Sequence, residues 1–408
     1  MKYHRIIITL FMCIVLVVLG LFVSGQTYAS GYLVSEHTYK RLEVIHTLMG
    51  ENKYVEAKQR LDQLQQSTRN NRYESALVLQ TYAYLYAAKD DYKNAITALE
   101  KCLALDAMPD AQIHKIRLNL IQLYVGTENY AKAVESFEKY LTEVKNPPAY
   151  SHGLGGIAYA QINNYSKAIK HLKIAIANSE KPEESWFQML LSIYYEHKDY
   201  AAAADVLEDL IVLYPDKKEY WKQLSGVRYQ LHDDDNALSV LQLAYMNGLL
   251  TEENELVNLA KFFAFKGMPY KGAMVIEAGV NNKIIKPEEK IFQLLAECYL
   301  RANELEKAII SLSKAAEISN DADLYIKLAH LYYEQEDWFA TTKTINKAFE
   351  IGKIQNPGKV YLLQGVAYYE QRKIQQSINA LNKAKQYQDT NATAGQWLTY
   401  VSTQNDVP

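Results

Sequence analysis

The fold is decided by residues 149–181, which read AYSHGLGGIAYAQINNYSKAIKHLKIAIANSEK. Counted from the first of these residues, place eight (Gly156) and place twenty (Ala168) are small, whereas place eleven (Tyr159) and place twenty-four (Leu172) are large. Apolar residues recur at helical spacing in two segments of about a dozen residues, which a short polar turn joins. The stretch therefore predicts a hairpin of two helices whose backbones approach closely at the small residues.

The same pattern recurs along most of the chain. Ten units begin near residues 38, 76, 114, 149, 184, 218, 253, 289, 322 and 358, which places successive starts 33 to 38 residues apart. Place eleven is Tyr in seven units: Tyr86, Tyr124, Tyr159, Tyr194, Tyr299, Tyr332 and Tyr368. A repeat of this length with small, Tyr and Leu positions resembles the tetratricopeptide repeat. It predicts an all-α protein, a right-handed α-α superhelix of about ten helix hairpins.

The ends of the array follow from the same counting. Residues 38–390 make up the predicted solenoid, preceded by a short linker at 30–37. Residues 391–403 form an amphipathic segment with Trp397, Leu398 and Val401 on one side, and a solenoid needs its last apolar face covered. We predict a capping helix there and a loose tail at 404–408.

Two units depart from the repeat. The seventh has Gly267 and Pro269 in its turn and Gly272 and Gly279 in its second helix, which is expected to lower helix stability by about 1 kcal/mol per Gly. The sixth has Arg228 where Tyr is expected at place eleven. These departures indicate either a local bend or a contact site.

The N-terminus has the features of an export signal. Lys2 and Arg5 precede the apolar run 6–23, and Thr27-Tyr28-Ala29 supplies small residues at the cleavage positions. We predict a signal peptide at 1–29, cleaved after Ala29. The alternative is an uncleaved membrane anchor, because eighteen apolar residues are close to the length that spans a bilayer. Both interpretations place the remainder in the periplasm, in the second case anchored to the inner membrane.

Composition restricts the function further. The net charge is −3, with acidic and basic residues interleaved, so nothing favours nucleic-acid binding. Cys102 and Cys298 lie six repeats apart, beyond disulfide range in an array whose repeats contact only their neighbours, and are predicted to be buried thiols.

Motifs for catalysis or cofactor binding are not found. The sequence contains no phosphate loop, nucleophile elbow, His-Glu-x-x-His or Cys-x-x-Cys motif, and its histidines are dispersed singly. We therefore predict a protein that is not an enzyme and has no cofactor or metal site. The glycine-rich stretch 152–156 is interpreted as helix packing in preference to an anion-binding loop, and Asp233-Asp234-Asp235 as a solvated turn in preference to a cation site.

A partner-binding groove is predicted along the first helices, since stacked repeats present an extended concave surface. Its Tyr, amide and charged side chains suit an extended or helical peptide. The alternative is that each Tyr only covers the groove wall. The predicted groove residues are Tyr84, Gln188, Tyr195, Lys222, Tyr229, Gln293, Glu297, His330, Tyr333 and Tyr369. They lack the Lys/Asn/Arg set by which chaperone-docking domains hold a terminal carboxylate.

A narrower resemblance rests on several short stretches. They are YWKQLSGV at 220–227, DDNAL at 234–238, AYMNGLLT at 244–251, MPYKGA at 268–273 and NPGK at 356–359. Together they resemble the tetratricopeptide proteins encoded beside TonB, ExbB and ExbD in many marine gammaproteobacteria. The match covers about 38–388 and is sharpest over 218–279.

This resemblance implies a periplasmic accessory of an energy-transduction system that drives uptake of iron chelates or other scarce nutrients. Its expected partners are proteins or peptides, including TonB, ExbB, ExbD or their receptors. The family has no established catalytic residues to carry over. The competing interpretation is an assembly factor for outer-membrane or polysaccharide-export proteins.

Overall fold

A computed structural model describes residues 32–405. The predicted signal peptide, the first two residues of the predicted linker and the last three residues lie outside this range. All regular elements between residues 32 and 405 are α-helices, so the all-α prediction is confirmed. None of these helices is long and apolar enough to cross a membrane.

Twenty of the helices in the described residues alternate between first and second members of ten hairpins, and the last one, α21, follows the tenth hairpin. They are α1 (Glu36–Gly50), α2 (Tyr54–Ser67), α3 (Arg72–Ala87), α4 (Tyr92–Ala104), α5 (Asp110–Gly126), α6 (Tyr130–Glu143), α7 (Ala149–Gln161), α8 (Tyr165–Ala177), α9 (Glu184–Glu196), α10 (Tyr200–Leu213), α11 (Lys218–Gln230), α12 (Asp234–Met246), α13 (Glu253–Phe265), α14 (Pro269–Asn281), α15 (Glu289–Arg301), α16 (Leu305–Ser319), α17 (Ala322–Glu334), α18 (Trp338–Ile351), α19 (Pro357–Glu370), α20 (Ile374–Ala384) and α21 (Asn391–Asn405). The chain divides after Val206, within α10, into an N-terminal and a C-terminal unit.

Every hairpin turn uses the same backbone conformation. Two residues before each second helix, the chain adopts a positive φ: Asn52, Asp90, Glu128, Asn163, Lys198, His232, Gly267, Asn303, Glu336 and Arg372. The next residue is Asp or Asn in most hairpins, and its side chain caps several second helices, as Asp337 does by accepting from the Ala340 N–H at 2.9 Å. Gly267 adopts φ +75° in the seventh turn, so this part of the unusual unit keeps the regular geometry.

Small residues at places eight and twenty bring paired helices together, as predicted. Ser225 on α11 donates to the Ala237 carbonyl on α12 at 2.8 Å, and Ser377 on α20 donates to the Gly365 carbonyl on α19 at 2.7 Å. In the seventh hairpin, a Cβ added to Gly272 would lie 2.6 Å from the Ala260 carbonyl oxygen. The glycine that lowers helix propensity is therefore required for the close approach of α13 and α14.

Large residues fill the remaining core of each unit. In the N-terminal unit Leu61, Leu99, Phe137 and Leu172, all at place twenty-four, are buried. The C-terminal unit has a continuous apolar cluster that includes Trp221, Phe263, Leu295 and Leu328. At its end α21 packs against α20 and α19, with Ala394 and Val401 buried. Cys102 and Cys298 are free and buried, and burial raises the pKa of Cys102 to about 12.

Candidate partner-binding surface

The recurring Tyr at place eleven links neighbouring repeats in the third and fourth units. Tyr124 on α5 donates to Glu100 on α4 at 2.6 Å, and Tyr159 on α7 donates to Glu138 on α6 at 2.7 Å. In each case the acid stands at place twenty-five of the preceding unit. Burial, followed by the bond to Glu138, raises the pKa of Tyr159 to about 12. These Tyr hydroxyls are therefore engaged inside the array.

Arg228 occupies the same link in the sixth unit. Its guanidinium forms an ion pair with Glu208 at place twenty-five of the fifth unit, and a longer one with Asp233 at 3.5 Å. An arginine–carboxylate pair thus replaces the tyrosine–carboxylate hydrogen bond. The side chain joins two neighbouring hairpins, and the expectation of a local bend or a contact site at this unit stays a prediction.

Three of the predicted groove residues meet in one cleft of the C-terminal unit. Gln293 and Glu297 on α15 and His330 on α17 line a cleft of about 570 Å³. The remaining lining residues are Lys290, Leu294, Ala296, Leu300, Leu312, Leu324, Lys327 and Leu331. The cleft thus combines an aliphatic floor with a polar rim, and all of its lining residues except Leu312 lie on the two successive first helices α15 and α17.

The rim of the cleft carries two lysines. Lys290 and Lys327 are exposed and form no ion pair within the described chain. Glu297 is exposed and lies 3.8 Å from Arg301 on its own helix, a pair of small energetic value. Gln293 donates to Glu289, which holds its amide against α15. Two ammonium groups are therefore available to a ligand.

An aromatic row lies on the same unit. Tyr229 on α11, 52% exposed, has its ring centroid 6.1 Å from that of Phe262 on α13. Phe262 in turn lies 6.4 Å from Phe265, which is 65% exposed. Phe262 and Phe265 were not among the predicted groove residues. An aromatic residue at place thirteen, where five of the other units have Glu or Gln and none is aromatic, was the signal for Phe265.

Lys222 is held by an internal ion pair. Its ammonium lies 2.9 Å from the buried carboxylate of Glu255, which Lys218 also contacts at 3.1 Å. Burial acts to raise the pKa of Glu255, but the two lysines and the Glu252 N–H outweigh it, so the pKa lies below its usual value. The ion pairs of Lys218 and Lys222 with Glu255 connect α11 to α13 on the side where a ligand was predicted.

The two last groove tyrosines pack against neighbouring aromatic residues. Tyr333 lies 5.2 Å from the Trp338 ring at the start of α18. Tyr369 lies 6.1 Å from Trp397 and 5.5 Å from Tyr400, both on the capping helix. A hydrogen bond with Tyr400 raises the pKa of Tyr369. The capping helix thus packs beside the Tyr369 ring, which stays partly exposed.

The groove residues of the N-terminal unit lie on two separate helices. Tyr84 on α3 accepts a hydrogen bond from Gln80 at 2.9 Å. Gln188 and Tyr195 lie on α9, where Gln188 donates to Glu184 at 3.2 Å and Tyr195 is 37% exposed. Two first helices, α5 and α7, separate Tyr84 from the other two in chain order, so the pattern does not gather them at one point.

The two stretches with an alternative interpretation have structural roles. A Cβ added at Gly153, Gly155 or Gly156 would lie within 2.6 Å of Trp186, Phe137 or Leu172, so these are packing glycines inside α7. In the acidic turn, Asp235 pairs with Lys266 at 2.8 Å. Neither stretch has the geometry of an anion or cation site.

One contact between two histidine side chains was not predicted from the sequence. His152 on α7 and His171 on α8 were treated as separate, yet their Nδ1 atoms lie 3.0 Å apart in the core of the fourth hairpin. Place four, occupied by His152, carries Trp221, Leu256 and Phe292 in later units, which identifies it as an inward position. That row was the available signal for a buried histidine.

The fold defines a helical repeat protein that presents side chains along its first helices. Comparison with known families adds the kind of repeat. Residues 154–218 match one tetratricopeptide repeat model, and residues 76–107 and 289–321 match a second. The array therefore contains tetratricopeptide repeats. No curated protein matches the sequence.

Several solved structures resemble the chain at low identity. A tetratricopeptide repeat protein from Parabacteroides merdae is 14% identical, over 73% of this chain and 99% of that one, with a TM-score of 0.40. YrrB, described as a TPR protein with an unusual peptide-binding site, is 18% identical over 44% of this chain and 89% of its own, with a TM-score of 0.37. MamA is 18% identical over 42% and 97%, with a TM-score of 0.32. These likenesses concern the fold alone.

Proposed function

We propose that the protein is a periplasmic interaction scaffold that holds a segment of another protein in the cleft between α15 and α17. The observation that carries this proposal is the convergence of Gln293, Glu297 and His330 with two unpaired lysines over an aliphatic floor. Tetratricopeptide repeats serve as binding surfaces, since stacked hairpins present extended faces to a partner.

The chemistry of the cleft indicates what the segment carries. Leu294, Leu300 and Leu331 offer contacts to an aliphatic or aromatic side chain, and such an anchor supplies most of the affinity of an interface. Lys290 and Lys327 favour an acidic side chain beside it, because complementary charge fixes orientation and raises the association rate. The ligand we propose is a peptide segment with an apolar anchor flanked by an acid.

The cellular setting rests on sequence features. Residues 1–29 support export to the periplasm, with either cleavage or retention as an anchor. The resemblance of 218–279 to proteins encoded beside TonB, ExbB and ExbD supports an accessory role in energy-coupled nutrient uptake. We accordingly propose TonB, ExbB, ExbD or their receptors as the source of the segment.

Site-specific photo-crosslinking in intact cells tests the proposal. A benzophenone amino acid at Leu300, which is 39% exposed in the cleft, is expected to capture a TonB-system protein. The control position is Val55 on α2, which is 71% exposed and far from the cleft in sequence. Capture is expected to fall at least about tenfold when Lys290→Glu and Lys327→Glu are combined with the probe.

A control with equal charge change separates the cleft from general electrostatics. Lys101→Glu with Lys139→Glu alters two exposed lysines on second helices of the N-terminal unit and is expected to leave capture unchanged. Equal loss in both double variants would refute the cleft assignment. Recovery of export machinery without TonB-system proteins would favour the envelope-assembly interpretation over the uptake system.

A further inference from the structure

The fourth hairpin contains a buried pair of imidazoles. His152 and His171 are 9% and 8% exposed, their rings are stacked at 5.2 Å with an interplanar angle of 12°, and their Nδ1 atoms are 3.0 Å apart. At that distance one Nδ1 donates and the other accepts. The pair is a buried polar contact between the inner faces of α7 and α8.

Aromatic rings surround the pair. The Tyr159 ring stacks on His171 with 5.6 Å between the ring centroids, and the Phe137 ring on α6 lies edge-on with its centroid 5.9 Å from that of His152 and 5.1 Å from that of His171. On the α9 side, Trp186 packs against Gly153 next to His152. The rings therefore shield the pair from most of the solvent, and an imidazolium there loses much of its hydration.

The charged groups nearby do not compensate for a proton. Lys170 acts on both imidazoles and Lys167 on His171, and both act against protonation. The Glu138 carboxylate accepts hydrogen bonds from Tyr159 and Lys167, at 2.7 Å each. On α5, which also packs on α7, Arg117 is paired with Glu143. The ionisable groups of α5 and α9 do not contribute to the shift of either imidazole.

The protonation states follow from this geometry. One proton between the two Nδ1 atoms forms the bond, whereas protonation of both imidazoles makes both atoms donors and places two cations side by side. Burial lowers the pKa of His152, and burial together with His152 and the two lysines lowers that of His171 to about 4. Since these values lie below 6.5, stability is present above about pH 6.5 and is lost as the pH falls toward 4.

We infer that the His152–His171 pair is an acid-sensitive latch that holds α7 to α8 at neutral pH and lets this hairpin open locally in mild acid. Repeats interact mainly with their neighbours, so opening of one hairpin does not require the array to unfold. The opening exposes Phe137 and Leu172, which the closed hairpin buries. The N-terminal unit is thereby loosened at its fourth repeat, whereas the α15–α17 hairpins are left intact.

Hydrogen exchange of the full chain, followed by mass spectrometry at pH 7.5 and 5.0 and corrected for intrinsic rates, tests this inference. Between pH 7.5 and 5.0, the lowered pKa of His171 alone is expected to reduce the protection of peptides from 149–177 by about thirtyfold. The lowered pKa of His152 is expected to reduce it further. The internal control is the hairpin 289–319, which contains no histidine. An equal loss of protection in both hairpins would overturn the latch.

Two further measurements keep the test independent of any folding defect. In His152→Gln combined with His171→Gln, which cannot titrate, the pH dependence of 149–177 is expected to disappear. If it persists, the latch is wrong. Exchange of the histidine C2 protons in the unmodified protein reads both pKa values directly, and values at or above 6.5 for both residues would also overturn it.

Discussion

Arg228 forms an ion pair with Glu208 at the two places where Tyr124 and Glu100 share a hydrogen bond earlier in the chain. A cation and a phenol thus perform the same task of joining one hairpin to the next. Because the acid is retained, the change from Tyr to Arg alters the donor and keeps the contact.

We predict that Arg228→Tyr is tolerated and that Arg228→Ala is not neutral. The tyrosine hydroxyl can donate to Glu208 as Tyr124 does to Glu100, whereas alanine removes the donor and the packing of the side chain. The expected loss for alanine is about 0.5–1 kcal/mol of local stability, since the pair is partly exposed. Hydrogen exchange of α11 and α12 measures both variants, and equal losses would contradict the shared role.

Gly267→Ala is expected to destabilise the seventh hairpin by about 1 kcal/mol, because a side chain at φ +75° is strained. Gly226→Ala is the matched control. Gly226 lies inside α11 with no atom within 4 Å of an added Cβ, so alanine there is expected to stabilise by about 0.5–1 kcal/mol. Local hydrogen exchange or urea unfolding gives the two signs, and the same sign in both would contradict the turn geometry.

Gly272→Ala separates helix propensity from packing. Propensity alone predicts a gain of about 1 kcal/mol, but the added Cβ would lie 2.6 Å from the Ala260 carbonyl oxygen. Backbone must then shift, and we expect a net loss of about 1–3 kcal/mol. A stabilised α14 in hydrogen exchange would show that α13 and α14 can separate without cost.

Tyr229→Ala is expected to weaken partner capture at least about threefold while changing stability by less than about 1 kcal/mol. Tyr229 is half exposed, and its described ring contact is the edge of Phe262. Tyr39→Ala on α1 removes a tyrosine of equal exposure, 52%, and serves as the control. Capture by the Leu300 probe reads the effect, and equal capture in both variants would exclude Tyr229 from the binding surface.

Glu255→Gln is expected to reduce stability at pH 7 by about 1–3 kcal/mol, since it removes the charge that Lys218 and Lys222 share. The folded pKa of Glu255 is lowered, so its contribution is present above the unfolded value of about 4.5 and is lost as the pH falls through the folded value. The difference between variant and unmodified protein should therefore shrink in acid. Urea unfolding at pH 7 and pH 3 measures it, and a constant difference would contradict the ion pairs.

The hairpins could be predicted because their determinants are local and repeated. Ala168 and Gly156 identify the close approach in one unit, and Ser225 and Ser377 extend it with hydroxyl bonds across the same places. The site was predictable only in part. Place numbers identify Gln293 and His330 as facing one side, but they do not reveal that α15 and α17 leave a cleft between them.

Other parts of the site depend on contacts between distant residues. Lys222 stands at a groove position, but its role follows from Glu255, 33 residues later, which binds it. Tyr369 stands at another groove position, and its accessibility to a ligand depends on where the capping helix α21 lies. His152 and His171 are 19 residues apart on different helices, so their pairing emerges only when the hairpin closes.

The links at places eleven and twenty-five also bear on how such a gene can grow or shrink. Glu100, Glu138 and Glu208 stand at corresponding places of different repeats, and so do Tyr124, Tyr159 and Arg228. Loss of residues 114–148 would bring Tyr159 into register with Glu100, a pair of the kind already present on both sides of the deletion. Whole repeats can thus be copied or removed by recombination with the joint between neighbours preserved.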